Sequence, residues 1–346
     1  MSLRPQRLRA AVVGLGIGRL HAEAYATHPQ VDLVALCDAS AQRLGEGLRR
    51  YPCARGYARL DEMLSSEALD LVSICTPDWL HAEMAIAALQ AGAHVVCTKP
   101  LTTTIEDARR LVATADATGR RLMAAHERRF HPRYRAIKRA LDEGLLGTLF
   151  YLEIDYFTHK GRQFAATPWY QSAEHPRAAI LGTGSHAVDL LRWFGGEVDE
   201  AWGAGNHLAW PEFPEDDCMI GLFKLAGGAI GKVTQTYASI RGAGEPDLRV
   251  TLHGTKGAIE DERLISLEWF QGLEAMEVAG RRPWGRLPVP EQAQTSHHAQ
   301  IDHFVACLLE GRPPQPDGRE GARTVAACLA VVEAARTGRP VRPARF

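Results

Sequence analysis

Two short stretches of this chain carry side chains suited to moving a proton. Lys99 stands in Thr98-Lys99-Pro100, directly after the strand-like run Ala93-His94-Val95-Val96-Cys97. His186 and Asp189 stand further on, in His186-Ala187-Val188-Asp189. An imidazole titrates near neutrality and serves there as acid or base. The spacing of His186 and Asp189 puts them on one helical face, where a carboxylate can orient the ring or hold a substrate hydroxyl. An ammonium at the rim of a buried strand is costly unless it meets substrate oxygens or a carboxylate. Desolvation of Lys99 there would lower its pKa and help it share a proton. Each residue also has a plainer reading. Lys99 would be a solvated lysine at a strand end. His186 would be a hydrogen-bonded core residue of an amphipathic helix with apolar face Leu190, Leu191, Trp193 and Phe194.

A third feature gives that proton chemistry a partner. The turn Gly14-Leu15-Gly16-Ile17-Gly18 follows a strand-like run and precedes a helix-like one. Gly14 and Gly16 permit a tight turn and close backbone approach to a pyrophosphate, and the helix N-terminus offers N–H groups to the anion. The dinucleotide fingerprint puts its third glycine at position 19, which is Arg19; Gly18 comes one residue early. Asp38 ends the second strand-like run, where a carboxylate holds a ribose 2′-hydroxyl; the alternative is a helix cap before Ala39 to Leu48. A carboxylate there repels a 2′-phosphate, so NAD is expected, with Ser40 and Arg43 leaving NADP open. Thr76-Pro77-Asp78-Trp79-Leu80-His81 also follows a strand and should face the cofactor; His81 reads equally as a first-turn helix residue. Cofactor and proton carriers together point to hydride transfer.

The elements that must position these residues fall into two patterns. Over residues 1–126, short continuous apolar runs (Leu8 to Val13, Leu33 to Cys37, Leu69 to Cys75, Val95 to Cys97, Leu122 to Ala125) alternate with helix-like stretches. Such runs suit parallel strands buried on both faces, hence a doubly wound α/β domain. Thr104-Ile105-Glu106-Asp107 opens a helix that Gly119 ends. Over residues 127–346, period-two segments (Leu149 to Phe157, Cys218 to Leu225, Ala229 to Tyr237, Leu248 to Leu252) predict a large open, mostly antiparallel sheet. Helices at Ser185 to Phe194, His297 to Leu309 and Arg319 to Thr337 should cover one of its faces.

Composition excludes other classes. The 346 residues are 46% hydrophobic and 23% charged, ordinary for a globular chain, and the formal net charge of -1 offers no basic field to nucleic acid or an anionic membrane. No apolar run reaches the ~18 residues that span a bilayer. The arginine-bearing start runs into the Gly-rich turn, so it reads as a first strand and not as a signal peptide. Seven cysteines at wide spacings, without a Cys-x-x-Cys pair, predict neither disulfides nor zinc and fit a reducing cytoplasm. His126-Glu127-Arg128-Arg129-Phe130-His131 misses the zinc-protease spacing by one residue, and His297, His298 and His303 lack a matching ligand set, so no metal is expected.

Taken in order, the motifs resemble the Gfo/Idh/MocA family of NAD(P)-dependent oxidoreductases over nearly the whole chain. The resemblance rests on Gly14-x-Gly16-x-Gly18-x-x-His21, Thr76-Pro77-x-x-x-His81, Thr98-Lys99-Pro100, Arg128-Arg129-Phe130, Gly184-x-His186-x-x-Asp189-Leu190-Leu191-Arg192-Trp193 and the tail Thr337-Gly338-Arg339-Pro340-Val341. It implies an N-terminal Rossmann domain, an open-sheet α/β domain often used for oligomer contacts, and a homodimer or homotetramer. It implies a sugar or polyol substrate, Lys99 and His186 as the catalytic pair, and Asp189 as a substrate or orienting residue. Ile17, Thr98, Lys99 and Glu127 join the implied cofactor contacts. Tyr156, His159, Lys160, Arg162, Trp169 and Tyr170 are expected to face the substrate with His186 and Asp189; the cluster His159 to Arg162 suits a carboxylate or phosphate and reads equally as a solvated basic loop. Three positions depart from the family pattern: Thr98 replaces Glu, Glu127 replaces Asn, and Gly182 replaces an Asp before the catalytic histidine. The proton relay is thereby incomplete, with Asp189 or Tyr170 as substitutes. The expected activity is NAD-dependent oxidation of a ring hydroxyl; an NAD-retaining glycoside hydrolase and a non-catalytic sugar sensor are the alternatives.

Overall fold

The computed structural model describes residues 7–240, 248–266, 284–291 and 294–346; the first six residues, part of the start weighed above as a leader, lie outside them. The chain forms two compact units. One ends its first segment at Phe130 and resumes over Gln294–Val325; the other takes the chain from His131 and again over Ala326–Arg345.

The first unit alternates strand and helix. Its elements are β1 (Leu8–Val13), α1 (Gly18–Thr27), β2 (Val31–Cys37), α2 (Ala41–Arg50), β3 (Arg55–Tyr57), α3 (Leu60–Ser66), β4 (Leu71–Ile74), α4 (His81–Gln90), β5 (His94–Thr98), α5 (Ile105–Thr118) and β6 (Leu122–Ala125). All six strands are parallel, in the order β3-β2-β1-β4-β5-β6. Apolar runs such as Ala10-Ala11-Val12 are fully buried, as a sheet covered on both faces demands. The strand order reverses between β1 and β4, and ligands of such sheets bind beyond the carboxyl ends at that point. The Thr104 hydroxyl accepts from Asp107 N at 3.1 Å to cap α5, and Gly119 ends it with φ 65°.

The second unit holds α6 (Pro132–Asp142), β7 (Leu149–Phe157), α7 (Gly161–Ala166), α8 (Ala179–Gly182), α9 (Ser185–Gly195), β8 (Val198–Asn206), β9 (Cys218–Leu225), β10 (Ile230–Thr236), β11 (Leu248–Gly254), β12 (Gly257–Glu260), β13 (Arg263–Ser266) and β14 (Gly285–Arg286). Its sheet runs β14-β13-β12-β11-β7-β10-β9-β8 and is antiparallel except between β7 and β10. One face is pressed by α9: a Cβ at Gly231 would lie 2.7 Å from Leu191. The other face exposes Trp202, Ile220, Leu222 and Ile230.

Two helices close the chain, α10 (Ser296–Leu309) and α11 (Gly318–Thr337). The expectation that His297 to Leu309 covers the second sheet is corrected here. Ile301, Phe304 and Val305 of α10 belong to the apolar core of the first unit, packed with Tyr25, Val96 and Met123. Gly318 and Gly321 lie against Leu122 and Ala124, and Ala124 N donates to Pro316 O at 3.2 Å along the edge of β6. Val331, further along α11, lies against Gly203 and Gly221 of the second sheet. No described helix is long and apolar enough to cross a membrane.

Candidate active site

At the end of β1 the glycines divide the work. Gly14 has φ 85°, and a Cβ there would stand 2.6 Å from Cys75 O, so only glycine lets the ends of β1 and β4 approach this closely. A Cβ at Gly16 would meet nothing within 4 Å, which leaves that side of the turn open. A Cβ at Gly18 would stand 2.8 Å from Val12 Cγ1, so the early glycine does the helix-to-strand packing that the fingerprint assigns to its third glycine. Arg19 therefore costs the motif nothing. Ile17 precedes α1 without a side-chain cap, and its first turn carries no acid, so its main-chain N–H groups suit an anion.

Asp38 is buried beside this turn. Its Oδ2 accepts from Leu15 N at 2.7 Å and from Arg43 Nε at 3.1 Å, and its Oδ1 accepts from Ser40 N at 2.7 Å. The helix-cap alternative for Asp38 is excluded, because α2 is capped by Ser40, whose hydroxyl accepts from Arg43 N. Open turn, anion-facing helix start and fixed carboxylate fit the pyrophosphate and ribose of a dinucleotide. Under α1 lies a buried polar chain. Gln300 Nε2 donates to His21 Nε2 (3.2 Å), His21 Nδ1 lies 2.9 Å from Ser73 Oγ, and Tyr25 OH lies 2.7 Å from the same oxygen. Burial, then the nearby His297, push the His21 pKa down to about 3.

The loops after β4 and β5 are tied together by His81. Its Nδ1 lies 2.8 Å from Pro100 O and its Nε2 2.9 Å from Thr76 O. Thr98 donates its hydroxyl to Ile74 O at 3.1 Å, so the residue that replaces the family glutamate braces β4. Pro77 leads into the turn that carries Trp79, and Lys99 follows Thr98 half-buried at the strand end. Glu127 is half-buried in the turn after β6, 3.7 Å from Arg128 Nε, and the buried Arg129 pairs with Glu320 at 3.3 Å. His131 caps α6 by accepting from Arg133 N. Among the described residues no group of three or more His, Cys, Asp or Glu side chains converges on a metal position.

In the second unit the site gathers around the start of α9. Thr183 and Gly184 keep helical dihedrals between α8 and α9, so positions 182 and 186 share a face one turn apart. His186 is buried edge-on to the Tyr156 ring, 6.1 Å between centroids, and Asp189 is fully buried a turn further on. Gln235 pairs in register with Tyr156; its Nε2 donates to Thr236 O at 2.9 Å, while its buried Oε1 has no partner among the described residues. Trp169 and Tyr170 stack at 4.2 Å, and Arg177 Cζ stands 4.7 Å and 4.5 Å from their ring centres. The residues of the expected basic cluster have these surroundings. Arg162 is exposed, Lys160 donates to Gln163 at 2.6 Å, and the His159 ring packs on Trp210.

The gap left by Gly182 is filled from elsewhere. A Cβ there would stand 2.5 Å from Tyr237 OH and 3.2 Å from Arg177 Nε. Tyr237 OH accepts from Thr183 N at 3.2 Å, and so braces the entry to α9 from below. Arg177, Tyr237 and Gln235 are absent from the sequence-derived site. Arg177 lies in a polar loop, and Tyr237 reads as the end of a strand, so neither carried a signal.

A model described as the oxidoreductase family, NAD-binding Rossmann fold, matches residues 8–126, and one described as the GFO/IDH/MocA C-terminal domain matches residues 134–260. The chain is 31% identical to a D-apiose dehydrogenase of Paraburkholderia graminis, over 97% of this chain and 90% of that one. It is 25% identical to an inositol 2-dehydrogenase of Rhizobium meliloti, over 96% and 98%. The WlbA dehydrogenase of Bordetella pertussis, solved with NADH and UDP-GlcNAcA, matches the structure with a TM-score of 0.84 at 25% identity, over 99% of both chains.

Proposed function

The chain belongs to the Gfo/Idh/MocA family of oxidoreductases, and from that premise we propose that it oxidises a secondary hydroxyl of a cyclic sugar, sugar acid or inositol with NAD. The observation that carries this reading is His186, presented at the first turn of α9 against the Tyr156 ring. The relatives named for D-apiose, inositol and a bound sugar nucleotide support the substrate class.

Bound NAD supplies the hydride acceptor. The chain's residues do the rest. The Gly14–Gly18 turn and the start of α1 hold the pyrophosphate, and Asp38 takes the ribose hydroxyls. His186 accepts the proton of the reacting hydroxyl, and Lys99 stabilises the negative charge that grows on that oxygen. As the carbon loses its hydrogen with the bonding pair, the C–O bond becomes a carbonyl, and the proton stays on His186 until solvent takes it. Tyr156 offers an apolar face to the C–H side of a ring, and Gln235 Oε1 accepts from a hydroxyl.

The test follows NADH absorbance over a panel of sugars, inositols and sugar acids. NADH from members of this panel supports the reading. No NADH, with nitrophenol released from a nitrophenyl glycoside, replaces it by the NAD-retaining hydrolase. Binding of panel members without either product replaces it by the sensor.

A further inference from the structure

We propose that Gln235 is a specificity-determining residue of the substrate site, whose amide oxygen demands a second hydroxyl on the ring besides the one oxidised. The proposal rests on the dehydrogenase reading and narrows its substrate to rings that bring a hydrogen-bond donor to that point. Gln235 is fully buried on β10. Its amide fits only one way round. Nε2 donates to Thr236 O at 2.9 Å and to Thr158 Oγ1 at 3.4 Å. The Thr158 hydroxyl gives its own hydrogen to Thr236 O at 2.9 Å, so towards Gln235 it only accepts. Turning the amide over would set Oε1 against two acceptors. Oε1 is therefore fixed on the far side, where among the described residues no donor meets it. A buried acceptor without a donor is costly, and a ligand that brings the donor removes that cost.

Its place in the sheet ties that oxygen to the reaction. Gly231, Val233 and Gln235 share one face of β10 by the two-residue period, and Gly231 lies against Leu191 of α9. Two residues past Gln235, Tyr237 OH accepts from Thr183 N at the entry to α9. Gln235 is thus bracketed under the first turn of α9, the turn that carries His186. Beside it in register stands Tyr156, whose ring meets the His186 ring edge-on. The donor that Oε1 requires and the hydroxyl that His186 deprotonates can therefore belong to one ring lying on Tyr156. A carboxylate brings only acceptors at neutral pH and does not fit against Oε1.

The competing role for Gln235 is a structural tie between β10 and the end of β7. Fluorinated rings separate the two roles, since a C–F group keeps the bulk of a hydroxyl but donates no hydrogen. The probes are D-glucose, D-galactose and myo-inositol, each against its monodeoxyfluoro analogues. Calorimetry on the NAD-loaded enzyme reads binding, and NADH absorbance reads turnover. The unaltered enzyme is expected to bind one analogue of a preferred parent about 10²-fold more weakly than the parent. The near-isosteric Gln235→Met should bring that ratio close to one, whereas His186→Ala leaves it in place. Gln235→Leu serves if the first variant does not fold. Gln235→Glu, protonated where it is buried, keeps both donor and acceptor and should retain part of the ratio. Analogues that all bind as tightly as their parents overturn the proposal. So does a ratio unchanged in Gln235→Met, which marks the residue as the tie alone. A ratio present without any NADH upholds the role of Gln235 and removes only the dehydrogenase reading. Probes that neither bind nor turn over overturn both.

Discussion

Asp38 holds the Leu15 and Ser40 main-chain N–H groups and the Arg43 guanidinium at once, so it builds the turn at the end of β1 besides its proposed role at the ribose. Asp38→Ala removes the ribose partner and strips a buried N–H of its acceptor, a loss of about 1–3 kcal/mol. NAD affinity, read by fluorescence titration, should fall at least about tenfold. Arg43 is the residue that can turn from Asp38 to a 2′-phosphate, since its side chain is more than half exposed. Arg43→Ala is therefore expected to raise the preference for NAD over NADP; an unchanged ratio of the two dissociation constants would remove Arg43 from cofactor choice. His186→Ala and Lys99→Ala should each lower kcat by roughly 10²-fold or more, the scale of a lost acid–base group. NAD affinity should hardly move in His186→Ala. Turnover near that of the unaltered enzyme in either variant would take that residue out of the mechanism.

The elements depend on one another through α1. Its His21 sits in a chain of hydrogen bonds that accepts at Nε2 from Gln300, an arrangement made for the neutral ring. His94, whose Nδ1 accepts from Arg121 N at 2.8 Å, is likewise held neutral, its pKa pushed down to about 4 by burial and by Arg120 and Arg121. A folded pKa below the unfolded one favours the neutral ring in the native state. The associated stability is complete above pH 6.5, the ordinary value of an imidazole, and is lost as pH falls toward about 4 for His94 and about 3 for His21. For the fully buried His21 the loss is on the order of a few kcal/mol. Urea midpoints should drop steadily from pH 7 to pH 4, and His21→Gln should be less stable at pH 7 with a flatter slope. A wild-type midpoint independent of pH across this range would contradict it. Much of this architecture is readable in the chain. Continuous apolar runs marked the main strands of the first sheet, and Thr104 and Gly119 marked both ends of α5. The readings that failed have local causes. The strand β3 is only Arg55–Tyr57, and β8 is written with Asp199, Glu200 and glycines at half-exposed places, so neither shows an apolar period. The apolar face of α10 announces burial but not against which sheet. At the site, Lys99, His186, Asp38 and the glycine turn carry motif spacing, whereas Arg177 and Tyr237 owe their place to contacts distant in sequence, which no spacing reveals.

For the molecule as a whole, neither unit is a continuous stretch of chain. A cut at residue 126 or 127 would leave the first unit without α10, whose Ile301, Phe304 and Val305 complete its core. A fragment ending at Phe130 is therefore expected to lack a cooperative unfolding transition by circular dichroism. Joining residues 294–325 to it through a flexible linker should restore both the transition and NAD binding; a fragment ending at Phe130 that melts cooperatively and binds NAD would contradict this. Translation turns the same return of the chain into a matter of timing. At about 5–20 residues per second, the roughly 160 residues from His131 onward occupy the ribosome for on the order of 8–30 s before α10 emerges. Through that interval the nascent nucleotide domain has an uncovered strand edge at β6 and an apolar hollow waiting for Phe304. Exposed apolar surface of this kind is what chaperones bind, and a message broken before the codons of α10 is expected to yield no cofactor-binding protein.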